Sequence, residues 1–224
     1  MKGKLVVIEG LDGSGKATQT ALLYEELQKF GCKVKKVSFP DYDQPSSALV
    51  KMYLAGEFGE RPESVNAYAA ASFYAVDRFA SFTKFWRDSY QQGAVILADR
   101  YVTSNMIFQL SKLPPKEWND FLSWEEDFEY QKMGLPKPDL TIYLDMPPKL
   151  SQQLLGERYH GEENKKDIHE KNLLFLEQCR KSAIYTAERL KWKIVNCACD
   201  DHIRNIEEIH AEIMQIIGGI SLLC

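Results

Sequence analysis

The chain has 224 residues, 45% of them hydrophobic and 27% charged, and its formal net charge at pH 7 is -4. This length and composition suit one soluble α/β domain over residues 1–224 rather than two domains. No basic block dominates the chain, so we expect no nucleic-acid partner. The apolar run after Lys4 is too short for a signal peptide or a membrane span. We therefore expect a cytoplasmic protein without a membrane partner.

Predicted strands and helices alternate along the chain. The first segment, KLVVIEG, is a β-branched run ending at Gly10 and predicts a buried parallel strand. It is followed by a predicted helix over 18–30, a strand in CKVKKVSF, a long helix over 62–92 and a strand in AVILAD. Two further strands, in PDLTIYLDMPP and KWKIVNC, precede an amphipathic helix over 203–217.

This alternation predicts an α/β fold of three layers, a five-stranded parallel sheet with helices on both faces. In such folds ligands bind at the carboxyl ends of the strands. Asp12, Pro40, Asp99 and Asp145 each follow a predicted strand end, so we expect the binding site there. The polar, aperiodic segment GERYHGEENKKDIHE predicts an excursion from the one domain and no second core.

The segment IEGLDGSGKATQT, residues 8–20, has the spacing of a phosphate-binding loop, Gly10-x-x-x-x-Gly15-Lys16. Its glycines let backbone N–H groups turn toward phosphates, and the following helix adds the positive end of its dipole. Lys16 places a charge on the terminal phosphates. The predicted nucleotide-binding residues are Gly10, Leu11, Asp12, Gly13, Ser14, Gly15, Lys16, Ala17 and Thr18.

Ala17 stands where such loops carry the hydroxyl that contacts Mg²⁺. One hypothesis is an inactive, degenerate loop. The other, which we favour, is that water takes the vacant coordination position, because Mg²⁺ keeps several waters and is held largely by substrate phosphates. Thr18 remains available to an α-phosphate oxygen. The sequence alone leaves both hypotheses open.

Asp99 ends the strand AVILAD and is predicted to bind Mg²⁺ directly or through water, with a helix cap as the alternative. Arg100 beside it is predicted to neutralise phosphate charge, with a surface ion pair as the alternative. The segment NKKD at 164–167 matches the guanine-reading motif of switch GTPases, but it does not follow an apolar strand. No DxxG follows Asp99 either, so we treat the match as coincidence.

Six stretches occur in an order that is typical of one family. They are EGLDGSGKATQ, FPDYDQPSS, SFYAVDRFASF, DRYVTSNMIFQ, YLDMPP and GERYHGEE. Together they resemble the phosphate loop, FP motif, LFxADR stretch, DRY motif with SxxxxQ, fourth-strand end and lid of the thymidylate kinase (dTMP kinase) family. The resemblance implies a P-loop NTPase fold with a lid at about 156–169, Mg²⁺, ATP as phosphoryl donor, dTMP as acceptor, and a homodimer.

The resemblance also implies a role for each acceptor-site residue. Phe73 would stack on thymine, Arg78 would donate to its O4 and reject cytosine, and Phe108 would crowd the 2′ position of the sugar. The alternative for Phe73 and Arg78 is core packing and a surface charge. The implied substrate-binding set is Asp12, Phe39, Pro40, Tyr42, Phe73, Arg78, Arg100, Ser104, Asn105, Phe108, Gln109 and Tyr159.

The lid has to supply a catalytic cation, because Gly13 and Ser14 stand where some family members carry an arginine. The candidates are Arg158, Lys165, Lys166 and His169. The implied catalytic set is Lys16, Asp99, Arg100 and Arg158, with Asp99 as the metal ligand. Two alternatives stay open at this point, a kinase for another deoxynucleoside monophosphate and a nucleotide-binding regulatory protein without turnover.

Overall fold

The computed structural model describes residues 2–158, 167–200 and 202–219, with the side chain of Arg158 excluded. Its strands are β1 Lys4–Gly10, β2 Val34–Ser38, β3 Val95–Asp99, β4 Leu140–Asp145, β5 Lys193–Asn196, β6 Ala198–Cys199 and β7 His202–Ile203. Its α-helices are α1 Lys16–Lys29, α2 Ala48–Leu54, α3 Ala67–Ser81, α4 Arg87–Gln91, α5 Val102–Phe108, α6 Trp118–Glu125, α7 Pro148–Arg158, α8 Leu173–Leu190 and α9 Ile206–Gly219.

The main sheet has five parallel strands in the order β2-β3-β1-β4-β5, which confirms the predicted sheet. Its register brings the carboxyl ends of four strands together. Asp99 lies opposite Ile8 of β1 and opposite Ser38 of β2, and Gly10 lies opposite Leu144 of β4. The loops that leave β1, β2 and β3 therefore meet at one edge of the sheet.

Alternate residues of the central strand enter two different cores, because successive side chains of a strand point to opposite faces. Leu5 and Val7 pack with residues of α3, α5 and α6 on one face. Val6 and Ile8 pack with residues of α1 and α9 on the other. The three-layer arrangement with helices on both faces is thus confirmed.

The long helix predicted over 62–92 is wrong as one element. Asn66 caps α3 by accepting a hydrogen bond from the Ala69 N–H, so the helix begins at Ala67. A π-helical turn, Phe82–Trp86, separates it from α4 and buries the Trp86 ring. The other two predicted helices are each displaced by a few residues, to α1 and α9. In the described ranges no helix is long and apolar enough to cross a membrane.

Candidate active site

The loop between β1 and α1 wraps the start of α1 as its glycine spacing predicts. Gly13 has φ +77°, and a Cβ there would lie 2.5 Å from the Ser151 carbonyl oxygen. Gly15 has φ +88° and is the residue before the first turn of α1. These left-handed conformations are accessible to glycine at little cost, and both glycines line one cavity together with Lys16.

Lys16 lies at the centre of that loop and is almost fully buried. Its Nζ donates to the Leu11 carbonyl oxygen at 2.8 Å. Burial, with the neighbouring charge of Arg100, lowers the pKa of Lys16 to about 8. A phosphate in the cavity would stabilise the charged form further, since an opposite charge raises the pKa of an ammonium group.

A cavity of about 670 Å³ opens over the loop, and we call it the phosphate cavity. From the sequence-predicted nucleotide set it is lined by Asp12, Gly13, Gly15, Lys16, Ala17 and Thr18, and Asp99 also lines it. Gly10, Leu11 and Ser14 do not line it. Leu11 contributes its carbonyl to Lys16, and Ser14 lines the neighbouring apolar cavity described below.

The residues around the phosphate cavity fit a magnesium ion that takes most of its ligands from phosphate and water. In the described ranges no cluster of three or more His, Cys, Asp or Glu side chains forms a metal cage. Asp99 supplies one carboxylate at the end of β3, beside the Lys16 end of the loop. In nucleotide sites Mg²⁺ is usually bound by only one or two protein ligands, and substrate phosphates and water supply the rest.

A second, narrower cavity adjoins the first, and we call it the acceptor cavity. Arg100 lies between the two with a left-handed backbone, φ 67°. Its guanidinium donates to Asp12 Oδ1 at 2.6 Å and to Ser104 Oγ at 3.3 Å, and it lies 4.9 Å from the centre of the Phe108 ring. Burial alone would raise the pKa of Asp12, but the charges of Arg100 and Lys16 hold it at about 2.

Glu9 holds the turn that carries Arg100, and the sequence analysis missed it. Its fully buried carboxyl accepts hydrogen bonds from the Tyr101 N–H at 3.2 Å, from Thr103 Oγ1 at 2.6 Å and from Ser104 Oγ at 2.9 Å. These bonds tie the end of β1 to the start of α5. The signal available in the sequence was a charged residue inside the apolar run LVVIEG, since buried carboxylates are paired or hydrogen-bonded.

The far end of the acceptor cavity is polar and deeply buried. Arg78 donates to Glu129, with 2.7 Å from Nε to Oε2, and its Nη1 donates to the Tyr101 carbonyl oxygen at 3.3 Å. Asn105 and Gln109 lie one helical turn apart beside it, and the Gln109 Oε1 has no hydrogen-bond partner among the residues described. The predicted residues that line this cavity are Asp12, Phe39, Pro40, Tyr42, Arg78, Arg100, Ser104, Asn105, Phe108 and Gln109.

Phe73 belongs to the predicted substrate-binding set, but the structure places it away from this cavity. Its ring packs against Phe58 and Tyr53, at centroid distances of 5.7 and 6.5 Å, and it does not line the acceptor cavity. Tyr74 lines it instead. The reason is helix geometry, because residues four apart share a face of an α-helix and residues five apart do not. The spacing of four between Tyr74 and Arg78 was the signal that could have identified the right ring.

His169 is one of the predicted candidates for the catalytic cation, and its surroundings disfavour a charged imidazole. Burial, with the nearby charge of Lys112, lowers the pKa of His169 to about 3, so its imidazole is neutral. Its ring stacks on Phe108 at 5.7 Å and its Nε2 lies 2.8 Å from the Tyr53 hydroxyl. It therefore forms part of the acceptor cavity wall, together with Asp167, which the sequence analysis did not single out. The other candidates, Arg158 (side chain), Lys165 and Lys166, and the predicted substrate residue Tyr159, lie outside the described residues.

A family model described as thymidylate kinase matches residues 8–213 of the chain. The chain belongs to the thymidylate kinase family. A thymidylate kinase of Mycobacterium tuberculosis (strain CDC 1551 / Oshkosh) is 34% identical over 158 residues, covering 70% of this chain and 71% of that protein. The thymidylate kinase of Schizosaccharomyces pombe is 25% identical over 224 residues, covering 99% of this chain and 94% of that protein.

A solved structure supports the same fold for this thymidylate kinase family member. The thymidylate kinase of Candida albicans superposes with a TM-score of 0.70 at 23% sequence identity, covering 97% of this chain and 92% of the other. At that identity the superposition shows the fold alone. Fold and family agree with the site geometry, because the phosphate loop and the acceptor cavity lie at the edge of the sheet where P-loop folds bind ligands.

Proposed function

We propose that this chain transfers the γ-phosphoryl group of ATP to dTMP, giving ADP and dTDP, with Mg²⁺ bound to the donor phosphates. The observation that carries the proposal is that the phosphate cavity and the acceptor cavity share one wall. Asp12, Tyr42, Arg100 and Asp167 line both cavities. A donor phosphate above Lys16 and an acceptor phosphate beside Arg100 would therefore meet, as an in-line transfer requires.

The donor base has a site of its own in this proposal. An apolar cavity adjoins the phosphate loop and is lined by Ser14, Met146, Leu154, Leu155, Ile203, Arg204, Ile206 and Ile209, among others. A flat purine ring buries apolar surface in such a cleft, and the guanidinium of Arg204 can stack on its face. Thr18 lines both this cavity and the phosphate cavity, so a nucleotide can extend from one into the other.

Catalysis in this proposal rests on positioned positive charge. Lys16 and Arg100 neutralise charge on the phosphoryl group and the acceptor phosphate, and the lid supplies a third cation, for which we propose Arg158. Mg²⁺ held by the phosphates, water and Asp99 would withdraw charge from the transferring group. Asp12, with its pKa held at about 2, stays ionised and keeps the Arg100 guanidinium oriented toward the acceptor.

Acceptor choice is the open part of the proposal. Arg78 would donate to thymine O4, Tyr74 and Phe108 would contact the nucleoside, and Asn105, Gln109 and Tyr159 would complete its recognition. The thymidylate kinase of Candida albicans has broad substrate specificity, which keeps another deoxynucleoside monophosphate as the second candidate. A regulatory protein without turnover is the third.

A coupled assay of ADP release separates these candidates. The wild-type chain is given Mg²⁺ and ATP with dTMP, dUMP, dCMP, dAMP or dGMP in turn, and with Lys16→Ala as the matched control. We expect dTMP to give the largest kcat/KM, and Lys16→Ala to lose more than tenfold in kcat while keeping the wild-type melting temperature. A larger kcat/KM for another acceptor would identify that nucleotide as the substrate in place of dTMP. If none of the five acceptors supports ADP release, the proposal is contradicted.

We also propose one domain, residues 1–224, in which the segment at about 156–169 closes over the donor phosphates as a lid. The proposed partners are ATP and dTMP, with neither nucleic acid nor membrane, and the proposed location is the cytoplasm.

A homodimer is proposed because Val76, Phe79 and Phe85, on α3 and just after it, leave about two fifths of their apolar surface exposed.

A further inference from the structure

Two buried glutamates lie behind the polar end of the acceptor cavity. Glu125 ends α6, and Glu129 follows in the π-helical segment Glu126–Lys132 that continues it. Both side chains have no exposed surface. Glutamate is rarely buried without a partner, because its charge is costly to remove from water. The contacts of this pair are with two residues that line the cavity, Arg78 and Asn105.

Glu129 fixes the guanidinium of Arg78. Arg78 Nε donates to Glu129 Oε2 at 2.7 Å and Arg78 Nη2 donates to Glu129 Oε1, so the pair is bidentate. A planar fork of this kind fixes the orientation of the guanidinium as well as its position. The Nη1 donates to the Tyr101 carbonyl oxygen on the side opposite the fork. Arg78 is therefore held by α3, the π-helical segment and the turn after β3 at once.

Glu125 fixes the side-chain amide of Asn105. Asn105 Nδ2 lies 2.7 Å from Glu125 Oε1, 3.2 Å from Glu129 Oε1 and 3.2 Å from the Ala71 carbonyl oxygen. All three are acceptors, so the amide nitrogen has to face them and the amide oxygen has to face away. Asn105 lines the acceptor cavity, so the oxygen Oδ1 is the atom that it presents to a ligand there.

The charge of the cluster balances only if one of the two carboxyl groups keeps its proton. Two buried carboxylates beside one guanidinium would leave an uncompensated negative charge, which the interior disfavours. Burial and the adjacent charge of Glu129 raise the pKa of Glu125 well above its usual value. The geometry pairs Glu129 with Arg78 and leaves Glu125 to accept the Asn105 hydrogen bond.

We propose that the Glu125–Glu129 pair is a specificity-determining device, whose two members are positioning residues that act through Arg78 and Asn105. The inference rests on the proposed function and names what sets its acceptor class. A guanidinium donor beside an amide oxygen acceptor matches the O4 and N3–H of thymine or uracil. Cytosine presents the opposite pattern, an amino donor at C4 and an acceptor at N3, and would leave both protein groups unpaired. The buried Gln109 Oε1, which has no hydrogen-bond partner in the part of the chain that the structure describes, adds a second acceptor at this cavity.

The test compares kcat/KM for dTMP with kcat/KM for dCMP in variants of the full chain. Glu125→Leu removes the nearest of the three acceptors of the Asn105 amide, at 2.7 Å, and should lower the dTMP:dCMP ratio about tenfold or more. The loss should come from a higher KM for dTMP with an unchanged KM for ATP. Glu125→Gln keeps a neutral acceptor of the same length and should retain the wild-type ratio within about twofold. Glu126→Gln, on the adjacent and partly exposed glutamate that contacts Lys137, is the matched control.

A merely structural role would change the melting temperature of Glu125→Leu and leave the ratio unaltered, and that outcome overturns the inference. If Glu125→Leu fails to fold, Glu125→Asp replaces it in the test. Its side chain is one methylene shorter, which moves the carboxyl group away from Asn105, so the dTMP:dCMP ratio has to fall in this variant too. A wild-type chain that does not phosphorylate dTMP contradicts the proposed function itself. If the wild-type chain phosphorylates dTMP and the Glu125 variants keep its dTMP:dCMP ratio, only the inference about the Glu125–Glu129 pair is contradicted.

Discussion

Ala17 is the residue at which this chain departs from the phosphate-loop pattern, and its surroundings favour a working loop. It is exposed and lines the phosphate cavity next to Lys16 and Thr18. The backbone around it keeps the left-handed glycines that the loop needs. The departure therefore removes one oxygen from the cavity and leaves the geometry of the loop unchanged.

Ala17→Thr should strengthen the contact with Mg²⁺ without affecting the acceptor. The added hydroxyl is one hard oxygen ligand, so the Mg²⁺ concentration for half-maximal rate should fall about threefold or more, with the KM for dTMP nearly unchanged. The β-branched side chain costs only about 0.5 kcal/mol in a first helical turn, so folding should not mask the effect. Titration of Mg²⁺ at fixed ATP measures it.

Two other outcomes of that titration are informative. Identical curves for both proteins would show that residue 17 does not face the metal. An inactive wild type whose turnover appears with threonine would support the binding protein without turnover.

At the scale of the element, the orientation of α3 decides which aromatic ring lines the acceptor cavity. Tyr74 and Arg78 lie on one face of the helix and line the cavity, whereas Phe73 does not line it and packs against Phe58. Tyr74→Ala should raise the KM for dTMP about tenfold or more and leave the KM for ATP unchanged. Phe73→Ala is the matched variant, and it should lower the melting temperature with little effect on either KM. The reverse result would restore Phe73 as the stacking residue.

The turn that leads into α8 predicts a pH-dependent stability. Burial and the charge of Asp12 raise the pKa of Asp167 from 3.8 to about 7 in the folded chain. The folded chain then binds more protons than the unfolded chain between these values, so its free energy of unfolding falls as the pH rises through this window. Asparagine cannot ionise, and its Oδ1 can still accept from the His169 and Glu170 N–H groups as Asp167 does.

Asp167→Asn should therefore become more stable relative to the wild type as the pH rises from 4 to 8. The free energy of unfolding of the variant minus that of the wild type should increase by about 1 kcal/mol or more between these pH values. Urea denaturation without nucleotide at both pH values measures it. Asp120→Asn, at an exposed position of α6, serves as the control and should show no such change. A difference between Asp167→Asn and wild type that is the same at both pH values would contradict the prediction.

At the scale of the whole molecule, the exposed apolar residues of α3 predict self-association. Phe79 exposes 40% of its surface and Val76 42% on a helix whose other face enters the core. Phe79→Glu should convert a dimer to a monomer, because a charge cannot be buried unpaired in an apolar interface. Sedimentation equilibrium measures the mass. Phe30→Glu, also exposed but at the end of α1, should leave the mass unchanged, and a wild-type monomer would contradict the proposal.

The sequence by itself determined what depends on local spacing and strand order. Alternating apolar segments predicted the five-stranded parallel sheet, and the glycines with Lys16 predicted the phosphate loop. Asp99 and Arg100 were found because a parallel sheet brings its strand ends to one edge, a rule that needs no side-chain coordinates.

The tertiary structure decided what depends on contacts between residues far apart in the chain. Which of two adjacent rings lines the acceptor cavity depends on how α3 packs against its neighbours. His169 looks like a lid cation in the sequence, yet packing against Phe108 and Tyr53 buries it and removes its charge. Glu129 meets Arg78 across 51 positions of sequence, and only folding brings the two together. The burial of these polar groups and their pairing with distant residues set these properties, and neither leaves a periodic signal in the chain.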